Sequence, residues 1–444
     1  MLRRADSART QTVGSYHSSM VDSAPPTLLI LFVAFLVAMP LVVLASARLR
    51  LPYTVALVLV GLCVSALPLS ERIEVPPDFV LAALLPGLVF EAAYRLDGEE
   101  LRRTLSGVAL LAVPGVVIVA AIVAVILNAA TGLPMNECFL VGAIVSATDP
   151  VAVVSTMRRL DAPRRLVTLV DAESLFNDGT AALAFGVALA LMSSQPPTAG
   201  GAVVQFAVGL VASVAVGAAA GWLVSLALRT TDDHLVELTL TVLAAYGTYL
   251  VADILGQSGI IASVVAGIVL GTWGPDRVLS PRAVGTIDVV WEFLAFILTG
   301  AAFLLIGISI PLGTLESAAV AIAWGVVAVL VGRAVVVYLL LGGAARLERI
   351  IAVMPPLPLG WLHVLNWTGL RGAVATALAL SIPDTVPDRA QIQGIAFGIV
   401  LFTLLVQGTT AGPLLRWTGI GGGAGGSGGE SVGGRAGSGM SSDG

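Results

Sequence analysis

Lysine is absent from this chain of 444 residues, and all 23 of its basic residues are arginine. The P-loop of nucleotide-driven proteins needs a lysine that contacts the phosphates, so the chain cannot contain that motif. Charge of either sign is also rare, since 11% of the residues are charged against about 25% in soluble domains. So few charges cannot cover a surface in contact with water. Together with a mean hydropathy of +0.97, this predicts that most of the surface faces lipid.

Cysteine and histidine are scarce as well. The two cysteines, Cys63 and Cys138, lie in or beside apolar segments, so the sequence does not indicate a disulfide framework. The three histidines are His17, His234 and His363, and the chain contains neither H-E-x-x-H nor G-x-S-x-G. An intramembrane hydrolase would therefore lack the nucleophile and base that it needs.

Long apolar runs, in contrast, are abundant. A bilayer core needs about 20 apolar residues per helix. The chain has thirteen such runs, at 27–47, 52–70, 78–95, 107–128, 136–157, 165–192, 202–228, 236–254, 258–273, 290–310, 315–342, 359–382 and 391–415. They predict an all-α polytopic membrane protein whose transmembrane domain spans 27–418. A polar tail at 1–26 and a disordered, Gly- and Ser-rich tail at 419–444 are predicted to flank it.

Arginines in the connecting loops are distributed unequally between the two sides. The loops on one side hold Arg48, Arg50, Arg95, Arg102, Arg103, Arg158, Arg159, Arg164, Arg165, Arg229, Arg277, Arg282, Arg346 and Arg349. The loops on the other side hold Arg72 and Arg389. The positive-inside rule predicts that the first set faces the cytoplasm. In the cytoplasmic membrane, the N-terminus then lies on the outer side and the C-terminus on the cytoplasmic side.

Some ionisable residues fall within the predicted spans, where charge is costly. A charged side chain at the centre of a membrane helix costs about 2.5–3.5 kcal/mol, so such residues are usually functional or paired. They occur at Glu91, Asp149, the segment 171–178, Arg333 and Arg371. The sequence alone assigns no role to Arg333, nor to Asp253 and Glu292 near the ends of other spans.

The segment D-A-E-S-L-F-N-D at 171–178 lies within the sixth predicted span. At about 100° per residue, Asp171 and Asp178 share one face of a helix, whereas Glu173 and Asn177 share another. Glu173 lies about 140° from Asp178, so we expect one carboxylate to meet a transported ion and the other a fixed counter-charge. Asp171 is nearer the cytoplasmic end and is interpreted as a charge of the entry funnel. A polar contact between helices is the structural alternative.

The fifth predicted span is interrupted by Thr148-Asp149-Pro150. Proline removes a backbone donor and disfavours helical geometry in the residue before it. A helix broken within the membrane offers free carbonyls to a cation and half-helix ends that need compensating charge. Asp149 can neutralise the positive N-terminal end of one half-helix, and Thr148 can offer its hydroxyl and carbonyl. A proline kink capped by Asp149 is the alternative.

The twelfth predicted span contains W-T-G-L-R-G-A-V at 367–374, where Gly369 and Gly372 flank Arg371. These glycines indicate either a second interruption or a close helix crossing. The fifth and twelfth spans are seven apart in order and therefore antiparallel, as an inverted repeat of spans 1–6 on spans 8–13 requires. Arginine stays charged, so Arg371 is predicted to form a fixed ion pair with Glu173.

The motifs in these spans resemble those of the sodium/proton exchangers of the monovalent cation:proton antiporter-1 family. The resemblance covers roughly residues 30–416. It rests on L-P-G-L-V-F-E-A-A at 85–93, S-A-T-D-P-V-A-V at 146–153, D-A-E-S-L-F-N-D-G-T at 171–180, S-G-I-I-A-S-V-V-A-G-I-V-L-G at 258–271, W-T-G-L-R-G-A-V at 367–374 and F-G-I-V-L-F-T-L-L-V-Q-G at 397–408.

The resemblance implies a fold of thirteen helices, a homodimer and an elevator-like motion of a core domain against a dimerisation domain. It implies that Asp178 is the shared site for Na+ and H+ and that Asn177 marks the electroneutral branch. It also implies that Glu173 pairs with Arg371. Finally, it places three further residues at or near the ion: Thr148, Ser174 and Glu91.

The function expected from these features is exchange of Na+ or Li+ for H+, one for one, in pH and sodium homeostasis. Membrane lipid and monovalent cations are the expected partners; no cofactor and no nucleic acid are expected. A K+/H+ antiporter on the same scaffold is the alternative. A passive channel or a receptor is less compatible, because it would not need a buried carboxylate beside a broken helix.

Overall fold

The computed structural model describes residues 27–49, 51–66, 80–277, 279–310, 312–347 and 357–420. Those residues form helices and short connections and contain no strand, which confirms the predicted all-α class. The predicted tail at 1–26 and nearly all of the tail at 419–444 lie outside the described residues.

The described part of the chain up to residue 191 is mostly helical. It forms α1 (Thr27–Leu49), α2 (Tyr53–Ser65), a π-helical segment (Val80–Leu84), α3 (Leu85–Tyr94), α4 (Gly98–Ala112), α5 (Pro114–Thr131), α6 (Met135–Ser146), α7 (Val151–Arg159) and α8 (Arg164–Leu191).

The second half continues in the same manner. It forms α9 (Ala199–Leu228), α10 (His234–Ile254), α11 (Gly259–Arg277), α12 (Pro281–Ser309), α13 (Leu312–Ser317), α14 (Ala319–Ala334), a π-helical segment (Val335–Leu341), α15 (Gly342–Leu347), α16 (Leu359–Trp367), α17 (Ala373–Leu380), α18 (Arg389–Phe402), a π-helical segment (Thr403–Gln407) and α19 (Gly408–Trp417).

Polar side chains cap several of these helices and so determine where they begin. Asp97 accepts hydrogen bonds from backbone amides in the first turn of α4, and Asp233 does the same for α10. Thr198 and Ser280 cap α9 and α12 through their hydroxyl groups. Each cap satisfies an amide that has no partner within its own helix.

Nine helices or joined helix pairs among the described residues are long and apolar enough to cross a membrane. Three shorter apolar helices accompany them, at Tyr53–Ser65, Val80–Tyr94 and Gly259–Thr272. Each predicted apolar run overlaps at least one described helix. The count of thirteen spans and the inverted repeat remain predictions.

Small residues allow α9 and α11 to approach closely. The buried face of α9 repeats a small residue every fourth position, at Gly209, Ser213, Gly217, Gly221 and Ser225. A β-carbon at Gly217 would collide with the carbonyl oxygen of Ala262 on α11. Such stripes favour helix association within a membrane, where apolar burial against lipid provides little driving force.

Both predicted helix interruptions are present. Four residues without helical structure, 147–150, separate α6 from α7, and five, 368–372, separate α16 from α17. The amide of Asp149 donates to the carbonyl of Leu370 over 2.8 Å, so the two breaks contact each other directly. α8 lies alongside this crossing and packs against α4, α6 and α11. The crossing therefore brings polar groups of three separate segments into the interior.

Candidate functional site

A cavity of about 430 Å³ leads from one side of the molecule to Asp178. Asp149 and Asp178 both line it and are partly exposed to it. The ionisable and hydroxyl-bearing residues of its wall are Tyr53, Glu91, Arg95, Asp149, Ser155, Arg158, Asp171, Asp178, Glu292 and Thr299. Most of its other wall residues are apolar, so an ion in this cavity would have few polar neighbours besides these.

Asn177 links α8 to the break between α6 and α7. Its amide oxygen accepts from the backbone N–H of Thr148 over 3.1 Å, and its amide nitrogen donates to the Thr148 hydroxyl over 2.5 Å. The hydroxyl groups of Thr148 and Ser174 lie 2.9 Å apart and share a hydrogen bond. All three side chains are buried. The structure thus brings together three of the predicted site residues next to Asp178.

The Asp149 carboxylate compensates the positive N-terminal ends of two half-helices, whereas the sequence predicted one. It accepts from the amide of Val151 over 3.0 Å and also faces the amide of Ala373. These are the first residues of α7 and α17, whose N-terminal ends carry partial positive charge. Gly372 passes so close that a β-carbon there would collide with the Asp149 carboxylate. The glycine therefore permits the contact between the two breaks.

Arg371 lies in the same crossing and is completely buried. Its Nη1 atom donates to the carbonyl oxygens of Ser146 and Ala147, over 3.2 and 3.1 Å. These carbonyls end α6, where the helix dipole is negative, so the guanidinium neutralises that end. The Nε and Nη2 atoms of Arg371 have no hydrogen-bond partner among the residues that the structure describes.

The predicted ion pair between Glu173 and Arg371 is wrong. Glu173 instead binds Arg333, through Nη1–Oε1 and Nη2–Oε2 contacts of 2.6 and 2.9 Å. Arg333 also donates from Nε and Nη2 to the carbonyl of Leu365 near the end of α16, over 3.2 and 2.9 Å. The planar fork of one guanidinium occupies both carboxylate oxygens, which leaves Arg371 to the carbonyls of α6.

Two further ion pairs line the same cavity. Glu91, predicted to lie at or near the ion, binds Arg95 through an Oε1–Nε contact of 2.6 Å. Asp171 binds Arg158 through an Oδ2–Nη2 contact of 3.1 Å. Asp171 thus lines the same cavity as Asp178, and its interpretation as a charge of the entry funnel stays a prediction. Asp253 does not line this cavity; it lies on a separate one of about 390 Å³.

The profile of the transmembrane sodium/hydrogen exchanger family matches residues 31–417. The chain belongs to this family. The resemblance noted from the motifs is therefore confirmed, and this sodium/hydrogen exchanger is a multi-pass membrane protein.

Curated relatives of the exchanger carry matching names. It is 36% identical to the Na(+)/H(+) antiporter ApNhaP of Aphanothece halophytica, over 84% of this chain and 70% of the relative. It is 32% identical to the Na(+)/H(+) antiporter NhaP of Pseudomonas aeruginosa, over 76% and 81%. The sodium proton antiporter MjNhaP1 of Methanocaldococcus jannaschii has the same fold, with a TM-score of 0.70 at 22% identity over 88% of this chain and 99% of that one.

The sequence identified the acids of the site more readily than the arginines that bind them. Arg95 follows Glu91 by four residues on one helix, so that pair had a local signal in its spacing. Arg158 and Asp171 are separated by a turn between α7 and α8, and no spacing rule connects them. Arg333 was recognised as a costly buried charge, but spacing could not show whether it or Arg371 faces Glu173.

Proposed function

We propose that this exchanger is a secondary antiporter that moves Na+ or Li+ in exchange for H+ through Asp178. The observation that carries the proposal is the cavity that ends at Asp178 beside two crossing, interrupted helices. The names of the relatives, which are Na(+)/H(+) antiporters, support the same reaction. Ion gradients supply the energy, so the proposal involves no nucleotide, no resident cofactor and no enzymatic step.

The electrostatics of the site favour a competition between the two ions. The charges of Asp149 and Glu173 repel the Asp178 carboxylate, whereas that of Arg371 attracts it. Desolvation and this repulsion disfavour a bare carboxylate, and either a proton or a cation relieves both. One carboxylate cannot hold both ions at once. Binding of either one on one side of the membrane and release on the other therefore amounts to exchange.

The oxygen atoms around Asp178 suit a small, hard cation. We propose that the Asp178 carboxylate binds the ion directly and that Asp149, Thr148 and Ser174 offer oxygens from the adjacent break. Asn177 holds the break in place through its bonds to Thr148. Oxygen donors of this kind are the ligands that hard cations prefer.

The balance of charge in the crossing supports a one-for-one stoichiometry. Glu173, Asp149 and Asp178 contribute three negative charges, and Arg333 and Arg371 contribute two positive ones. One proton or one Na+ on Asp178 therefore brings this group to zero. The two loaded forms then carry equal charge, and we propose that the exchange is electroneutral.

The surroundings of the site support the proposed membrane location and homodimer. The wall of the cavity contains Arg95 and Arg158, which belong to the arginine-rich side that the positive-inside rule assigns to the cytoplasm. We propose a cytoplasmic-membrane location with this side inward. The exposed face of α9 carries Val203, Val204, Val208 and Val211, which suits either lipid or a second copy in a homodimer.

Exchange can be measured directly in everted membrane vesicles that carry an imposed pH gradient. Addition of Na+ or Li+ should dissipate the gradient in vesicles that contain the protein and not in vesicles without it. A parallel titration with K+ tests the alternative cation. Dissipation by K+ but not by Na+ would replace the proposal with K+/H+ antiport, and no dissipation by any of the three cations would refute it.

A further inference from the structure

Two cavities share the same arginines on the arginine-rich side of the molecule. The cavity that ends at Asp178 has Arg95, Arg158 and Asp171 in its wall. An outer cavity of about 640 Å³ has the same three residues in its wall. These residues therefore stand where the two cavities meet, and an ion that moves from the outer cavity towards Asp178 has to pass them.

Each arginine at this junction holds an acid on its own wall. Arg95, at the end of α3, binds Glu91 over 2.6 Å, and its Nη2 atom also lies 3.6 Å from Glu292 and 2.9 Å from the carbonyl of Asp288 on α12. Arg158, at the end of α7, binds Asp171 of α8 over 3.1 Å. The acid side chains are largely covered, at 15% for Glu91 and 14% for Asp171, whereas 59% of Arg158 is exposed.

The two pairs also act on each other across the passage. The charges of both Arg158 and Asp171 act on Glu91. Glu292, which is largely exposed, lies 3.6 Å from Arg95 and adds a third acid to the two pairs. Glu91 and Asp171 are covered, so a cation can reach either of them only by weakening its bond to arginine.

We propose that Arg95 and Arg158 gate the passage by competing with incoming cations for Glu91 and Asp171. In this role they are positioning residues, which determine the Na+ concentration at which the exchanger half-saturates. This inference rests on the proposed exchange at Asp178. It adds that the affinity measured from the arginine-rich side depends on residues that do not touch the bound ion.

The double-mutant cycle of Arg158 and Asp171 tests the gate. Arg158→Gln removes a positive charge and releases the acid, so KM for Na+ in everted vesicles should fall by about two- to tenfold. Asp171→Asn should raise KM by a similar factor. The double variant leaves the net charge unchanged and should return KM close to that of the wild type. Added choline chloride should reduce the effect of each single substitution, since salt screens exposed charges.

Several variants separate a gate from a structural pair. Arg103→Gln removes an arginine that binds Glu99 and Glu100 on the neighbouring α4, outside both cavities, and should leave KM unchanged. Arg158→Lys keeps the charge and should stay near the wild-type KM. If Arg158→Gln fails to fold, Arg95→Gln makes the same prediction of a lower KM on the opposite wall.

A purely structural pair would lower the maximal rate or the amount of protein without opposite shifts in KM. The gate is overturned if Arg158→Gln and Asp171→Asn leave KM unchanged, or move it in the same direction, while the wild type exchanges Na+ for H+. A wild type that shows no exchange would instead overturn the proposed function, and the gate with it.

Discussion

The guanidinium of Arg333 meets the carboxylate of Glu173 in parallel, with two N–O contacts of 2.6 and 2.9 Å between buried side chains. Arg371, which the sequence suggested for this role, binds carbonyl groups of α6 instead. The two arginines thus have separate tasks. One neutralises an acid of α8, and the other neutralises the end of an interrupted helix.

Removal of one partner from the Glu173–Arg333 pair should destabilise the fold strongly. Glu173→Ala or Arg333→Ala should each cost about 3–5 kcal/mol, because each leaves the opposite charge buried and unpaired. The double variant should cost less than the sum of the two. Thermal unfolding in detergent measures these differences. The cycle of Glu173 with Arg371 is the control and should show weaker coupling; equal coupling in both cycles would contradict the assignment.

Asp178→Asn should abolish exchange with little effect on expression or thermal stability. An amide cannot carry the proton and has lost the charge that attracts the cation. Proton movement driven by Na+ in everted vesicles is the measurement. Asp253→Asn, at an exposed acid outside this cavity, is the matched control and should retain activity. Retained exchange in Asp178→Asn would remove the central residue of the proposed function.

Gly372→Ala should disturb the crossing even though it adds a single methyl group. The new β-carbon would collide with the Asp149 carboxylate, which cannot move away without leaving the N-terminal ends of two half-helices. We expect a loss of about 1–3 kcal/mol in stability together with reduced exchange. Gly186→Ala on α8 meets no atom within 4 Å and should be neutral or slightly stabilising. Equal behaviour of the two variants would argue against the close contact.

Exchange should be independent of membrane potential. If one Na+ replaces one H+ on Asp178, no net charge crosses, and the point of zero flux stays fixed when a potential is imposed. Currents on solid-supported membranes provide the measurement. A second proton carried by Asp171 or Glu91 would shift the balance by about 2.3 kcal/mol per 100 mV. Such a shift would mean that Asn177 is a misleading marker of the electroneutral branch.

The sequence was sufficient to predict the helical class and the two interruptions, because proline and glycine act on the backbone locally. Thr148, Ser174 and Asn177 were likewise predicted as site residues, and the structure joins them by hydrogen bonds, with Asp149 next to Thr148. Their part in ion binding stays a prediction. What could not be predicted is which charge meets which across different helices. Whether Arg333 or Arg371 pairs with Glu173 depends on the rotation and depth of α14 and α16. A single sequence does not reveal either quantity.

One carboxylate joins the two interrupted helices, and this restricts how the site can move. The Asp149 carboxylate accepts from the first amide of α7 and faces the first amide of α17, while its own amide donates to the carbonyl of Leu370. Neither half-helix can tilt alone without exposing a polar group to an apolar interior. The crossing is therefore expected to travel as one rigid body. Asp178 would change sides by displacement of that body against its neighbours, with the bonds inside it preserved throughout the cycle.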